Sequence, residues 1–206
     1  MSRPLLITDC DEVLLHMVTH FGAWLDEAHG VNFSLDTGHF VGAISRAGTV
    51  LEAGEIWPLL DGFFATEMHR QTAVPHAVEA LEAIGEVADI VVLTNLDWPC
   101  HAGRVAQLAS HGVNHRVVCN QGGKGTPLAK LLEEYRPSVA VFVDDLAVHH
   151  ESVAEAAPQV HRLHMVAEPR IAPKVPKAPF AHARIDDWRA AKEWILARFV
   201  EGPAKS

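Results

Sequence analysis

The chain is poor in cysteine and carries few basic residues for its size. Its 206 residues include three cysteines, Cys10, Cys100 and Cys119, and none forms a Cys-x-x-Cys pair. This pattern excludes a disulfide framework and a cysteine-rich zinc site, and it is typical of reduced thiols in a cytoplasmic protein. Seventeen Lys and Arg against 26 Asp and Glu give a net charge of −9. We therefore expect no nucleic-acid polymer as partner, because phosphate backbones bind basic surfaces.

Long hydrophobic runs are also absent. No stretch reaches the length of a membrane span, and the N-terminus lacks the basic and apolar segments of a signal peptide. We expect neither membrane insertion nor export. The 14 histidines are scattered without the spacing of metal ligands, so a histidine zinc site is not expected. Hydrophobic residues make up 49% and charged residues 21% of the chain, which indicates a packed globular fold.

Short apolar runs alternate with helical patterns along most of the sequence. The runs are residues 4–8, 89–94, 116–119, 139–143 and 160–164. Such alternation predicts an α/β fold with a Rossmann-like parallel sheet and helices on both faces. Thr126 and Pro127 are typical of an N-cap and a first helical turn, and we predict a helix from there to about Tyr135.

The first two predicted strands are separated by an insertion, residues 14–72, that is too long for one crossover helix. Apolar residues at helical spacing predict a helix that Gly30 ends. These residues are Leu14, Met17, Val18, Phe21, Trp24, Leu25 and Ala28. Residues 35–46 and 55–70 also have helical patterns. We predict a small, mostly helical cap over 14–72, with residues 1–13 and 73–206 forming the core.

Polar residues stand at or just beyond the ends of the first four strands. In chain order they are Asp9 and Asp11, Thr94 and Asn95, Lys124, and the pair Asp144 and Asp145. Ligands of open parallel sheets bind beyond the carboxyl ends of the strands, so these side chains should converge. Several carboxylates at one place repel each other unless a cation or a lysine balances them. Their oxygen atoms suit Mg²⁺.

These four motifs, in this order, resemble those of the haloacid dehalogenase (HAD) superfamily, and the resemblance extends over nearly the whole chain. It implies a HAD core with a cap between the first two motifs, and a magnesium-dependent phosphohydrolase. By this resemblance, Asp9 attacks phosphorus. Asp11 protonates the leaving group and then activates the water that hydrolyses the aspartyl phosphate.

The resemblance also assigns the ligands of the site. The metal ligands would be Asp9, Asp11 through its backbone carbonyl, Asp144 and Asp145. The phosphate would be held by Thr94, Asn95 and Lys124. One position departs from the family pattern, because Glu12 stands where glycine is usual. We expect a different turn there and a helix that begins early.

Other protein classes fit less well. A response-regulator receiver has its acidic pair after the first strand and its phosphorylated aspartate after the third, the reverse of the order here. A P-loop needs Lys followed directly by Ser or Thr, but Gly125 follows Lys124. A carbon-halogen hydrolase normally lacks the second aspartate of the first motif. A phosphomutase and a catalytically silent phosphate-binding protein remain open alternatives.

The substrate is expected to be a small phosphorylated metabolite or a nucleotide. Asp97 and Trp98 follow the second motif and are candidates for substrate selection. An exposed Trp98 could stack on a base, although tryptophan more often packs in a core. Exposed aromatic residues on the cap helix would permit a homodimer.

Overall fold

The computed structural model describes residues 2–34 and 42–204. Its centre is a six-stranded parallel sheet in the order β11-β10-β9-β1-β7-β8. The strands are β1 (Leu5–Thr8), β7 (Asp89–Asn95), β8 (Arg116–Asn120), β9 (Ala140–Asp144), β10 (His161–His164) and β11 (Ala183–Arg184). The first five confirm the five predicted apolar runs to within one residue at each end.

Helices cover both faces of this sheet. They are α3 (Ala77–Gly85), α4 (His101–Ser110), α5 (Gly125–Tyr135), α6 (Ala147–Ala156) and α7 (Trp188–Glu201). Successive side chains of a strand point to opposite faces. Leu6 of β1 accordingly belongs to a core with Leu81 of α3 and Trp188 of α7, whereas Leu5 packs in a second core with Leu128 of α5. The predicted Rossmann-like architecture is therefore confirmed.

Helix α5 begins two residues earlier than predicted. Lys124 occupies its N-cap position, so the prediction of Thr126 as N-cap is wrong. The side chain of Lys124 makes no capping bond, and the backbone N–H of Gly125 instead donates to Ser152 Oγ of α6 at 2.9 Å. The first turn of α5 is thus tied to its neighbouring helix, which satisfies a donor that an N-cap side chain usually satisfies.

The insertion contains two long helices and a small antiparallel sheet. Its elements are α1 (Val18–His29), β3 (Val31–Phe33), β4 (Ile44–Arg46), β5 (Thr49–Val50), α2 (Ala53–Thr66) and a 3₁₀ turn at Met68–Arg70. The helical prediction for residues 35–46 is wrong over β4, and residues 35–41 lie outside the described residues. Ala47 and Gly48 both have positive φ, as the two-residue turn of a β-hairpin requires.

The helix predicted from Leu14 begins only at Val18, so the expected early start is wrong. Between them, β2 (Leu15–His16) pairs antiparallel with β6 (Thr72–Ala73), where the chain leaves and re-enters the sheet domain. Glu12 has a φ of 58° and turns the chain away from a helix. Its Oε1 accepts hydrogen bonds from the N–H groups of Met17 at 2.8 Å and Val18 at 2.7 Å, and so caps α1 from outside the helix.

Most aromatic residues of the insertion pack together in one hydrophobic cluster. Phe21 and Phe63 are fully buried, with ring centroids 5.4 Å apart in an edge-to-face arrangement. Trp57 differs, because 48% of its surface is exposed. No helix within residues 2–34 and 42–204 is both long and apolar enough to span a membrane.

Candidate active site

Three aspartates meet at the carboxyl end of the sheet. Asp9 follows β1, and Asp144 and Asp145 lie at the end of the neighbouring strand β9. One carboxylate oxygen from each lies within 4.8 Å of the others. The parallel pairing of β1 with β9 brings these residues together, as the positions of the motifs predicted.

Lys124 joins this cluster from the start of α5. Its ammonium is completely buried and lies 2.7 Å from Asp9 Oδ1 and 2.7 Å from Asp144 Oδ2. Burial alone lowers the pKa of a lysine, but Asp144 and Asp9 outweigh it and hold the pKa of Lys124 above its ordinary value. The ammonium is therefore a fixed positive charge beneath the carboxylates.

The three carboxylates of the cluster outnumber its one ammonium group, Lys124. Burial, together with the neighbouring Asp144 and Asp11, raises the pKa of Asp9 to about 7 despite the attraction of Lys124. Burial and the carboxylates of Asp144 and Asp9 likewise raise the pKa of Asp145. A divalent cation would remove this repulsion, and oxygen ligands are those that Mg²⁺ prefers. The donor set therefore fits Mg²⁺.

Two buried histidines form hydrogen bonds with the backbone of the acidic pair Asp144 and Asp145. Nε2 of His150 donates to the carbonyl of Asp144 at 3.0 Å, and Nε2 of His164 donates to the carbonyl of Asp145 at 2.8 Å. His164 Nδ1 accepts from the N–H of Ala178, which fixes its tautomer. Burial lowers the pKa of His150 to about 4, so it is neutral at pH 7. This support could not be predicted from the sequence, because neither histidine has the spacing of a metal ligand or of any other recognisable motif.

Asp11 is held by residues that the sequence analysis missed. Nη2 of Arg104 donates to both of its carboxylate oxygens at 2.9 Å, and Nε2 of Gln71 donates to Oδ1 at 2.6 Å. Arg104 is fully buried and also donates to Cys10 Sγ at 3.0 Å. The sequence does contain one indication of this role. Arg104 stands four residues before Leu108, a spacing that places it on the buried face of α4. The carboxylate of Asp11 is fixed in place next to the cluster.

Thr94 and Asn95 lie at the end of β7. Thr94 is fully buried, and its Oγ1 lies 3.5 Å from Asp11 Oδ2. Asn95 donates to the carbonyl of Gly122 at 2.8 Å and accepts from Asn120 at 2.9 Å. Asn95 therefore fastens the loop that carries Lys124 to the end of β7.

Asp97 and Trp98 lie away from the cavity at this site. Asp97 accepts a hydrogen bond from Gln121. Trp98 is 71% exposed and stacks on His101 with ring centroids 4.8 Å apart. Most of the apolar side chains that line the cavity come instead from the insertion and from the connection between β10 and β11.

A cavity of about 600 Å³ adjoins the aspartates. Its polar lining residues are Asp9, Asp11, Glu12, Asn95, Asp145 and His149. Apolar residues of the insertion complete it, namely Met17, Val18, Phe33, Trp57, Leu60 and Phe64. Leu146 and Ala147 lie beside the acidic pair, and Val166, Ile171 and Val175 follow β10. Sequence patterns missed this lining because its members are distant in sequence.

No family model matches the chain, and no curated protein matches it. Several solved structures are similar to it. A protein named as a haloacid dehalogenase-like hydrolase from Burkholderia xenovorans has a TM-score of 0.64 at 16% identity, over 97% of this chain and 99% of that one. A HAD hydrolase from Bacillus subtilis, bound to magnesium, has a TM-score of 0.66 at 11% identity, over 95% and 99%.

A protein from Lactobacillus plantarum named as a phosphoglycolate phosphatase is also similar. Its TM-score is 0.62 at 14% identity, over 94% of this chain and 99% of that one. The shared architecture extends over almost the full length of each of these proteins. The chain therefore has the fold of the HAD-like hydrolases.

Proposed function

We propose that the protein is a magnesium-dependent phosphoric monoester hydrolase, and that Asp9 is its nucleophile. Its substrate would be a small phosphorylated molecule, with residues 14–72 acting as a cap over the site. The observation that carries the proposal is that Asp9 is ion-paired with the buried Lys124 ammonium and clusters with the Asp144 and Asp145 carboxylates. Similar folds in proteins named as hydrolases and as a phosphatase support it.

The reaction would proceed in two displacements at phosphorus. A carboxylate oxygen of Asp9 forms a bond to phosphorus while the bond to the leaving oxygen breaks, and Asp11 gives that oxygen a proton. Water then attacks the phosphorus of the aspartyl phosphate and passes its proton to Asp11. Phosphate leaves, and Asp9 is restored as a carboxylate.

The other residues lower the cost of bringing two anions together. Lys124 neutralises charge at Asp9 and Asp144. Bound magnesium would be held by Asp9, Asp144 and Asp145, with the backbone carbonyl of Asp11, and would supply charge neutralisation at the phosphoryl oxygens. Arg104 and Gln71 orient the carboxylate of Asp11.

The proposal is tested by hydrolysis of 4-nitrophenyl phosphate with magnesium and with EDTA. Wild type should release phosphate only with magnesium, and Asp9→Asn should release none, because its amide keeps the shape of the side chain without the nucleophile. Asp89→Asn is the matched control, since Asp89 begins β7 at the other end of the sheet and pairs with Arg3. Equal activity of Asp9→Asn and wild type would exclude Asp9 as nucleophile.

A further inference from the structure

The cavity beside Asp9 has mainly apolar walls away from its acidic end. Away from the carboxylates, its lining consists mainly of aliphatic and aromatic side chains. On α2, Trp57, Leu60 and Phe64 occupy positions i, i+3 and i+7, which place them on one side of the helix. Ile171 and Val175 also line the cavity, from the connection that follows β10. The space next to the phosphoryl site is therefore enclosed by apolar groups from two separate parts of the chain.

The described part of this lining has no lysine or arginine side chain. Among the described residues that line the cavity there is no lysine and no arginine, and residues 35–41 contain neither. Arg170 lines a neighbouring concavity and is ion-paired with Glu168 at 2.8 Å. Lys124 is completely buried between Asp9 and Asp144. A second anionic group on a substrate would find no lysine or arginine among the described residues of this lining.

The cavity is lined by further acidic side chains, which offer no counter-charge to a second anion. Glu12 lines it and is only 4% exposed, and its neighbour Asp11 lines it too. Burying a carboxylate or a second phosphate against these groups would cost desolvation energy that no ion pair offsets. Bisphosphates and phosphorylated carboxylic acids are thus disfavoured as substrates.

We propose that the substrate is a phosphate monoester whose leaving group is an uncharged, mainly apolar alcohol or phenol bound in this cavity. This inference rests on the proposed phosphohydrolase function. The cavity volume of about 600 Å³ lies within the range of small-molecule sites. Trp57 at the cavity is 48% exposed, and a bound apolar group would cover such a surface.

The inference predicts how hydrolysis depends on the leaving group. In a series of n-alkyl phosphates from ethyl to octyl, kcat/KM should rise about three- to fourfold for each added methylene until the cavity is full. Phenyl phosphate should also be a good substrate. Phosphoglycolate and fructose bisphosphate should be hydrolysed at least about tenfold less efficiently than octyl phosphate, because their second anion lacks a partner.

Two variants locate the effect in the cavity. Trp57→Ala should lower the ratio of kcat/KM for octyl phosphate to kcat/KM for ethyl phosphate by about tenfold, since the longer chain buries more surface against the apolar wall. Phe180→Ala is the matched control, because Phe180 is a 43% exposed aromatic residue outside the cavity. Phe180→Ala should leave kcat/KM unchanged for every alkyl phosphate of the series.

A binding measurement separates this inference from the proposed function. Octylphosphonate, which cannot be hydrolysed, should raise the Tm of the magnesium-loaded protein more than phosphonoacetate does. If the octyl compound binds better but no ester is hydrolysed, the phosphohydrolase function fails and the cavity's preference stands. Preferred hydrolysis of phosphoglycolate or the bisphosphate, or a kcat/KM independent of chain length, would overturn the inference while leaving the function intact.

Discussion

Lys124 is the residue on which the candidate site depends most for its charge balance. Its buried ammonium lies 2.7 Å from carboxylates of both Asp9 and Asp144. Removing one member of a buried ion pair leaves an uncompensated charge. The fold therefore tolerates the buried carboxylates of Asp9 and Asp144 because Lys124 balances part of their charge.

Lys124→Met should lower the free energy of unfolding at pH 7 by about 3–5 kcal/mol, since it leaves two buried carboxylates without their partner. Urea unfolding without magnesium measures this. Lys130→Met is the matched control, because Lys130 is an exposed residue of the same helix, and it should change stability by less than about 0.5 kcal/mol. Equal stability of the two variants would contradict the assigned charge balance.

Glu12 makes a second residue-level prediction, which concerns pH. Burial raises its pKa to about 7 from an ordinary value of 4.5, even though the N–H groups of Val18 and Met17 oppose the shift. Between these two pH values the folded protein binds more protons than the unfolded chain, so the contribution of Glu12 to stability falls as pH rises. Above pH 7 the buried Glu12 is ionised, and this lowers the free energy of unfolding by its full amount, roughly 3 kcal/mol.

Glu12→Gln keeps a carbonyl oxygen for the N–H groups of α1 but cannot ionise. Relative to wild type, the variant should gain about 2–3 kcal/mol of stability between pH 4.5 and pH 7. Chemical unfolding of both proteins across this range, in EDTA, measures the difference. Parallel stability curves would show that Glu12 does not titrate in this way.

At the residue scale, the positions of polar residues at the ends of predicted strands indicated which side chains would lie close together. Asp9, Lys124, Asp144 and Asp145 are brought together because each stands at or just beyond the carboxyl end of a strand in one sheet. Arg104 could not be found in this way. Its contact with Asp11 spans 93 residues of sequence, and a charged residue within an amphipathic helix is normally expected in solvent.

At the element scale, the close approach of α5 to α6 positions Lys124. A Cβ added to Gly125 would lie 2.1 Å from the carbonyl oxygen of Ser152. Glycine therefore allows the two helices to approach so closely. The N–H of Gly125 donates to Ser152 Oγ in the same contact.

Gly125→Ala should destabilise the protein by about 3 kcal/mol, because the methyl group forces the helices apart. It should also reduce activity by displacing Lys124. Thermal unfolding and phosphate release measure the two effects. Gly54→Ala is the control, since nothing lies within 4 Å of a Cβ added there in α2, and it should be neutral or stabilise by up to about 1 kcal/mol.

Sequence periodicity predicted the long elements and missed the short ones. The sheet strands are apolar runs and the main helices have an apolar face, which explains the agreement. Strands β2 and β6 have two residues each, which is too short for any periodic signal. The hairpin of β4 and β5 turns at Ala47 and Gly48, and alanine is not a usual residue at positive φ.

At the scale of the whole molecule, metal binding and folding stability should be coupled. The three clustered aspartates exist as one site only in the folded chain. A ligand that binds only the folded state stabilises it by mass action, about 2.7 kcal/mol at a hundredfold excess over Kd. Magnesium should therefore stabilise this acidic protein without any substrate.

The Tm of wild type should rise with magnesium relative to EDTA, and that of Asp145→Asn should not. In EDTA the variant should be at least as stable as wild type, because burial and nearby carboxylates raise the pKa of Asp145 and the charged form is costly. Asp89→Asn should keep the magnesium response, since Asp89 lies at the other end of the sheet. A similar magnesium shift in all three proteins would contradict the assigned site.

The central claim is that Asp9 accepts the phosphoryl group, and trapping that intermediate tests it most directly. Protein mixed with magnesium and 4-nitrophenyl phosphate would be quenched in acid and reduced with borohydride, which converts an aspartyl phosphate to homoserine. Peptide mass spectrometry would then locate the modified residue. We predict homoserine at position 9 in wild type and none in Asp9→Asn or without substrate. Homoserine at another aspartate, or steady phosphate release with position 9 unmodified throughout, would contradict the account.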